Sequence, residues 1–295
     1  MIANHATRAK ARVALITCRD LADLEDDDRL VLDPLRARGV AGEAAVWDDP
    51  DVDWASFDLA VLRSPWDYAR RRDEFVRWAA SVPNLANPAD VVTWNTDKRY
   101  LAMLAAAGVP VAPTTWVTPD EQVELPTSGD WVIKPAISMG SVDTGRYDLS
   151  DPTHHDLARG HVDRLASAGR VIMLQPYLPA VDSYGETAMV FIGGQFSHAI
   201  RKGPMLDGPD RGVKGLYKEE VITARTPTVA EHMIADAALA AAPGDLLYAR
   251  VDLIPGPDDS PLVVELELTE PSLFLGYADG AADRFAAAIT RALPA

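Results

Sequence analysis

Two apolar strands near the carboxyl terminus constrain the fold more than any other feature, because they carry acidic side chains. The runs LYARVDLI (247–254) and PLVVELELT (261–269) are joined by the turn-rich PGPDDS, which predicts an antiparallel hairpin. Glu265 and Glu267 are two residues apart, so both side chains point to the same face of their strand. Asp252 lies in the partner strand, and pairing would bring the three carboxylates to one point.

Three carboxylates among apolar side chains are costly to bury unless positive charge neutralises them. Oxygen ligands gathered in this way suit Mg²⁺, which takes its remaining ligands from water and phosphate. The alternative is an ion-pair network in which Arg250, Arg201 or Lys202 neutralises the acids. The residues alone leave both hypotheses open.

The order of the remaining elements predicts an α/β half followed by an α+β half made mostly of antiparallel strands. In the first half, strands are expected at 12–17, 43–47 and 58–63, with helices at 71–82 and from a cap at Asn95 or Thr96 to Ala107. In the second half, strands are expected at 131–135, 170–178, 187–193 and 195–202, with helices at 228–242 and 279–292. Two glycines at 193–194 predict a tight hairpin between the last two of these strands.

Charge and composition exclude several classes of protein. The 295 residues include 28 Lys and Arg against 44 Asp and Glu, a net charge of −16, so we expect neither a nucleic-acid nor a membrane partner. The single cysteine, Cys18, excludes an intrachain disulfide and is expected to be buried at the end of the first strand. No apolar run is long enough to span a bilayer, and the amino terminus does not resemble a signal peptide. We therefore expect a cytoplasmic protein.

Two lysines are candidates for phosphate binding. Lys98 begins the helical pattern NTDKRYLAML, and Lys134 ends the apolar strand WVIKP just before the small-residue loop AISMGS. Backbone N–H groups of that loop could hold phosphate oxygens together with the lysines, through residues Ser138, Gly140 and Ser141.

The segment 170–186 runs from a β-rich strand into a proline-broken stretch, where free backbone groups could hydrogen-bond the edge of an adenine. Gln175, Tyr177 and Leu178 form this candidate hinge. Asp182 and Glu186 follow it and could accept hydrogen bonds from ribose hydroxyls.

A candidate substrate loop follows the strand DLAVLR (58–63), at a position where α/β sheets commonly bind ligands. Arg63 could hold a substrate carboxylate with two hydrogen bonds. The other pocket candidates are Ser64, Trp66, Asp67 and Tyr68. The alternative is a packed turn with a surface arginine. The acidic run 23–28 is either a solvated loop and helix start or a substrate-facing loop that recognises an ammonium- or guanidine-like group. The glycine-rich segment 201–220 could close over the site or be a plain surface loop.

Taken in order, these elements resemble the ATP-grasp superfamily, and within it the glutathione-synthetase-like or RimK-like branch. The set comprises a lysine at a helix start, a lysine before a small-residue loop, a hinge with a downstream acid, and then D…ExE. The resemblance covers about residues 12–292 and is strongest over 92–272. It implies an N-terminal parallel α/β substrate domain (1–92), a small central lid domain (93–178) and a C-terminal antiparallel-sheet domain with the metal site (179–295).

The resemblance also implies roles for the ATP-binding candidates. Lys98, Lys134 and the lid loop would bind the phosphates of ATP, the hinge would bind its adenine, and Asp182 would bind its ribose. Enzymes of this kind activate a carboxylate as an acyl phosphate, which an amine-like nucleophile then converts to a C–N bond.

The metal and catalytic residues follow from the same resemblance. Asp252, Glu265 and Glu267 would bind Mg²⁺. The family usually has asparagine at the third position, so Glu267 adds a negative charge and puts the detailed coordination in doubt. The residues implied to stabilise the transferring phosphoryl group and the oxyanion are Arg250 together with Arg201 or Lys202.

The segments SPWDY, SHAIRKGP and ELELTEPS are similar to those of cyclo-ligases that close O-ureido-D-serine to D-cycloserine. This similarity implies a small amino-acid-like substrate that supplies both the carboxylate and the nitrogen. Two alternatives stay open: an intermolecular ligase that makes a dipeptide-like product, and a nucleotide-binding protein without turnover. Relatives of this kind often form dimers or tetramers, so a homo-oligomer is a further hypothesis.

Overall fold

The computed structural model describes residues 10–212 and 221–294. Within these ranges the first strands are β1 (Ala11–Thr17), β2 (Val40–Val46), β3 (Leu59–Ser64), β4 (Leu85–Ala86), β5 (Thr115–Val117), β6 (Asp130–Pro135) and β7 (Gly145–Asp148). The later strands are β8 (Ile172–Pro176), β9 (Glu186–Ile192), β10 (Gln195–Lys202), β11 (Ile222–Arg225), β12 (Tyr248–Pro255) and β13 (Pro261–Glu267).

The helices of the same ranges begin with α1 (Asp26–Arg29), α2 (Leu32–Ala37), α3 (Arg72–Ser81), α4 (Ala89–Asn95) and α5 (Tyr100–Ala106). They continue with α6 (Pro152–Ser167), α7 (Ala180–Ser183), α8 (Val229–Ala241) and α9 (Ala281–Ala292). None of these described helices has the length and apolar character needed to cross a membrane.

The N-terminal sheet is parallel, in the strand order β2-β1-β3-β4. Its central strand β1 is buried from Val13 to Ile16, because helices cover both faces of such a sheet. Cys18 follows this strand and is fully buried, which confirms its expected place. The predicted parallel α/β half is therefore confirmed.

The C-terminal sheet is antiparallel, in the order β11-β10-β9-β12-β13. Gly193 and Gly194 have φ values of 59° and 75°, a left-handed conformation that suits the predicted tight hairpin between β9 and β10. The predicted hairpin of the acidic strands is also present, since β12 and β13 pair antiparallel with Asp252 opposite Glu265.

The central sheet has the order β5-β8-β6-β7, and α6 packs against it. The two- to four-residue strands β4, β5, β7 and β11 were not predicted, because so few residues show no period. Each sheet falls within one of the three predicted segments 1–92, 93–178 and 179–295, and the domain boundaries themselves remain a prediction.

Two buried asparagines tie the N-terminal half to the strand of the metal candidates. Asn87 donates to the carbonyls of Tyr248 (2.9 Å) and Leu268 (2.7 Å). Asn95 donates to the carbonyl of Leu266 (2.7 Å) and accepts from the N–H of Leu268 (2.7 Å). Residues at the end of β13 are thus held in place from outside their own sheet.

This contact corrects the expected helix cap at Asn95 or Thr96. Helix α4 ends at Asn95, and α5 begins five residues later at Tyr100 with Arg99 as its N-cap. The Asn95 side chain cannot cap α5, because its nitrogen is bonded to Leu266 in β13 and its oxygen to Leu268 and Thr269 just after that strand.

Candidate active site

A cavity of about 480 Å³ lies where the central and C-terminal sheets face the loops of the N-terminal sheet. Most of the predicted site residues line it: Trp66, Tyr68, Lys98, Lys134, Ser138, Gly140, Ser141, Gln175, Tyr177, Leu178, Lys202, Arg250, Glu265 and Glu267. Asp252 is fully buried beside this group, bonded to Arg250 and Lys202. The remaining predicted residues do not line the cavity: Arg63, Ser64, Asp67, Asp182 and Arg201.

The three predicted metal ligands converge. One carboxylate oxygen each from Asp252, Glu265 and Glu267 can be chosen so that all three lie within 4.8 Å of one another. The β12–β13 register explains this, because Asp252 is directly opposite Glu265, and Glu267 lies two residues along the same strand face.

Two cations neutralise the buried Asp252. Arg250 donates two hydrogen bonds of 2.8 Å to its carboxylate and also donates to Glu267. Lys202 donates to Asp252 at 2.8 Å and to Glu186. Burial alone would raise the pKa of Asp252, but Arg250 and Lys202 together hold it below the ordinary value.

The other two acids differ from one another in their electrostatics. Burial would raise the pKa of Glu265, but Lys98, 3.1 Å away, and Lys134 hold it below the ordinary value. Burial raises the pKa of Glu267 well above the ordinary value, even though Arg250 donates to it. Glu267 is therefore the acid of the three whose charge is least compensated by the protein.

The predicted ion pairs and the predicted carboxylate cluster coexist. Asp252 pairs with Arg250 and Lys202, as the ion-pair hypothesis stated, while Glu265 and Glu267 still turn oxygens toward it. Mg²⁺–oxygen bonds of about 2.0–2.1 Å place ligand oxygens about 3–4 Å apart, a spacing that lies within the 4.8 Å limit found here. The donor set consists of oxygen alone, from three converging carboxylates, so the residues fit a hard divalent cation.

The two candidate phosphate lysines face this cluster. Lys98 donates to the carbonyl of Ser138 (2.5 Å), which links it to the small-residue loop. Lys134 lines the same cavity, and its ammonium has no hydrogen-bond or ion-pair partner among the described residues. Burial lowers the pKa of Lys134. A half-buried lysine that has no partner in the described part of the chain is a receptor for an anion.

The hinge borders an apolar slot in the cavity wall, formed by Ala112, Val132, Leu178, Ile254 and Val264. The N–H of Tyr177 donates to the carbonyl of Asp130 at 2.8 Å, so this group is not free for a nucleobase as the hinge hypothesis assumed. Asp182 lies outside the cavity, where it accepts from the Tyr177 hydroxyl (2.5 Å).

The structure corrects the placement of three substrate-loop residues. Arg63 is 1% exposed, and it is bonded to Asp28 (2.8 Å) and to the carbonyl of Pro271 (2.8 Å). Ser64 is buried against Thr17, and Asp67 accepts from the Trp47 indole (2.7 Å). Arg63 and Ser64 are buried at the end of β3, and Asp67 lies beyond that strand, half-buried and away from the cavity. Both positions considered for Arg63, on the surface and facing the cavity, are therefore wrong.

Arg201 is also outside the site. Its side chain donates to the backbone carbonyls of Tyr184 (2.7 Å) and Ser183 (3.1 Å), whereas its neighbour Lys202 faces the carboxylates. Successive residues of a strand point to opposite faces, so only one of the two could reach the cavity. The structure selects Lys202.

Three acidic residues of the cavity wall, Glu25, Asp27 and Glu270, were not individually predicted as site residues. Glu25 and Asp27 come from the acidic run 23–28, and Asp27 accepts the N–H groups of Leu275 and Gly276 at 2.8 Å each. Glu270 lies beyond the end of β13, where the period of two no longer predicts its direction.

Part of the candidate closing segment 201–220 covers the cavity. The Gly208 carbonyl accepts from the N–H of Arg146 (2.8 Å) in β7, and Asp210 pairs with Arg164 (2.5 Å) in α6. The segment therefore contacts the central sheet and the helix that packs on it. Residues 213–220 lie outside the described residues. The segment's cavity-lining residues are Gly203, Met205 and Leu206.

A parallel α/β unit, a central four-stranded sheet, and an antiparallel sheet bearing a carboxylate cluster opposite two lysines define an ATP-grasp ligase. A family profile described as D-cycloserine synthetase DcsG, N-terminal domain, matches residues 13–88. The cycloserine biosynthesis protein DcsG of Streptomyces lavendulae is 39% identical over 95% of this chain and 98% of its own length. The chain belongs to the DcsG family.

Solved structures agree with this assignment. The crystal structure of D-cycloserine synthetase DcsG matches with a TM-score of 0.85 and 38% identity, over 96% of this chain and 100% of that chain. A RimK-domain ATP-grasp protein from Sphaerobacter thermophilus matches in fold, with a TM-score of 0.65 and 17% identity over 94% of this chain and 98% of that chain. The predicted ATP-grasp fold and its resemblance to the RimK-like branch are confirmed.

Proposed function

We propose that this protein uses ATP to join a carboxylate to a nitrogen of the same small amino-acid-like molecule, as in the closure of O-ureido-D-serine toward D-cycloserine. The observation that carries the proposal is the convergence of three carboxylates at the cavity wall, with one oxygen of each within 4.8 Å of the others. They lie opposite Lys134, whose ammonium has no partner among residues 10–212 and 221–294. Membership of the DcsG family supports the same reaction class.

The proposed reaction has two steps. A carboxylate oxygen of the substrate attacks the γ-phosphorus of ATP, the bond from that phosphorus to ADP breaks, and an acyl phosphate forms. The nitrogen then attacks the acyl carbon, the carbon–oxygen bond to phosphate breaks, and the nitrogen gives up a proton. The protein mainly positions the reactants and neutralises their charge.

Each cavity residue has a proposed part in this reaction. Lys98 and Lys134 hold phosphate oxygens, and the loop containing Ser138, Gly140 and Ser141 covers them and excludes water. The apolar slot beside Gln175 and Leu178 receives the adenine. Asp182 lies outside the cavity, so the ribose contact rests on Glu186, which lines it.

Asp252, Glu265 and Glu267 are the residues that would hold Mg²⁺, with Glu267 in place of the asparagine usual in the superfamily. When bound, the cation would draw negative charge from the phosphates and favour phosphoryl transfer. Arg250 lies against these acids and has the planar geometry to stabilise the tetrahedral oxyanion of the second step.

The test is ADP release with Mg·ATP across amino acids offered singly and in pairs, including O-ureido-D-serine and its L form. We expect one compound alone to support turnover, with one C–N product formed per ADP. Turnover with pairs only would replace the proposal by an intermolecular ligase. ATP binding without ADP release in any mixture would instead favour a non-catalytic nucleotide-binding protein. A cytoplasmic location and a homo-oligomeric state are part of the proposal.

Replacing Lys134 with methionine should weaken ATP binding while leaving the fold intact. A hydrogen bond to a charged group is worth about 1.5–3 kcal/mol, so the dissociation constant for ATP should rise about 10- to 100-fold. Calorimetric titration with ATP measures this change, and Lys10→Met, at an exposed position, is the matched control. Unchanged ATP affinity in Lys134→Met would remove this residue from the phosphate site.

A further inference from the structure

Glu270 is a cavity-lining carboxylate that the reaction described above leaves without a role. It lies in the short turn 267–272, and both ends of this turn are bonded to the guanidinium of Arg250. Arg250 donates to the carboxylate of Glu267 and to the carbonyl of Ser272 (3.2 Å), so the residues between them loop past Arg250. Within that turn, Leu268, Thr269 and Pro271 are buried, and Glu270 is the residue that reaches the cavity.

Three side chains from the N-terminal loop hold this turn. Tyr68 donates its hydroxyl to Oε1 of Glu270 (2.7 Å), and the Trp66 indole donates to the Glu270 carbonyl (3.1 Å). Arg63 donates to the carbonyl of Pro271 (2.8 Å). Trp66 and Tyr68 also line the cavity. The carboxylate of Glu270 is therefore held in a fixed position beside the substrate loop.

The partners of Glu270 set it apart from the other described carboxylates of the cavity wall. Glu186, Glu265 and Glu267 are paired with Lys202, Lys98 and Arg250 respectively. Glu25 and Asp27 accept backbone N–H groups. Glu270 accepts a hydrogen bond from the neutral hydroxyl of Tyr68 instead. Its carboxylate is therefore available to accept a proton.

The chemistry of the second step requires such a group. The nitrogen that attacks the acyl phosphate must lose a proton as the C–N bond forms, and a base with a pKa near the operating pH serves best. Burial raises the pKa of Glu270 to about 7. The hydroxyl of Tyr68 and the charges of Lys98 and Arg250 act to lower this pKa, and Glu265 acts to raise it.

We propose that Glu270 is the general base of the C–N bond-forming step, positioned by Tyr68. The attacking nitrogen donates its proton to Glu270 as its lone pair attacks the acyl carbon and phosphate leaves with the electron pair of the broken carbon–oxygen bond. This assignment rests on the proposed function and names the group that receives the proton in it.

Glu270→Gln should separate the two steps. A general base contributes about 10²- to 10⁴-fold, so C–N product formation should fall at least about 10²-fold. The acyl phosphate should still form, since that step needs no base. Hydroxylamine added to the assay should then trap it as a hydroxamate at close to the wild-type rate. Glu124→Gln, at an exposed position, is the matched control.

Tyr68→Phe provides a second test, because a purely structural role of Tyr68 would not change the pH dependence of kcat. Loss of the hydroxyl should raise the pKa of Glu270, so the acidic limb of the kcat profile should move to higher pH. Equal loss of hydroxamate and C–N product in Glu270→Gln, a change in substrate KM alone, or an unmoved acidic limb in Tyr68→Phe would each overturn the assignment. Absence of ADP release by the wild-type enzyme with every substrate would instead overturn the proposed function.

Discussion

Replacing Glu265 with glutamine should lower ATP turnover by about 10²- to 10³-fold. The change removes one of the three converging carboxylates and the ion-pair partner of Lys98 at 3.1 Å. Loss of one preorganised electrostatic contact commonly costs about 3–4 kcal/mol of barrier, and a metal ligand is a contact of this kind. ADP release under saturating Mg·ATP and substrate measures the loss.

The fold should survive this substitution. Glutamine has nearly the same volume as glutamate, and its amide oxygen can still accept a hydrogen bond from Lys98. Relief of repulsion from Asp252 offsets part of the lost attraction to Lys98 and Lys134. We expect a thermal midpoint within a few degrees of the wild type and weakened binding of Mg·ADP by calorimetry. Full turnover in Glu265→Gln would show that these carboxylates do not hold a metal needed for catalysis.

Replacing Arg63 with methionine should destabilise the protein rather than change its preference for the substrate. The side chains of Arg63 and Asp28 are 1% and 4% exposed, so removal of the arginine leaves a buried carboxylate without its counter-charge. Breaking such a pair costs about 3–5 kcal/mol, which is a large part of the stability of an ordinary domain. Equilibrium unfolding in urea measures the change.

The double variant Asp28→Leu, Arg63→Met is the control for this interpretation. Removing both charges leaves no unpaired ion, so the double variant should be more stable than Arg63→Met by about 2 kcal/mol or more. If Arg63→Met instead raised the substrate KM with an unchanged free energy of unfolding, the arginine would be a substrate ligand, as its sequence position first indicated.

Sequence patterns predicted most of the fold because long elements carry their own period. The hairpin of Asp252 and Glu265 could be predicted from two apolar runs and a turn, and the structure places these residues directly opposite one another. The glycine pair at 193–194 predicted the β9–β10 turn for a similar reason. Strand β4 has two residues and depends on pairing with β3, so no local sequence pattern predicts it.

Side-chain direction limited what could be predicted of the site. Arg201 and Lys202 are neighbours with the same charge, and only the observed register decides which one meets Asp252. Arg63 follows a buried strand as a ligand-binding residue would, yet its partner Asp28 lies 35 residues away in the sequence. Glu270 depends on Tyr68, which is 202 residues away. Contacts at such separations leave no trace in local composition.

The bonds between the substrate loop and the turn after β13 have a consequence for engineering. The segments 63–68 and 270–276 are far apart in sequence, but Arg63, Trp66 and Asp27 are bonded to the backbone of the second segment. An exchange of residues 1–92 with a relative would break these bonds wherever the relative's two segments approach one another differently, unless residues 268–277 were exchanged with them. Chimeras that transfer both segments together should keep activity, whereas chimeras that transfer either one alone should lose it.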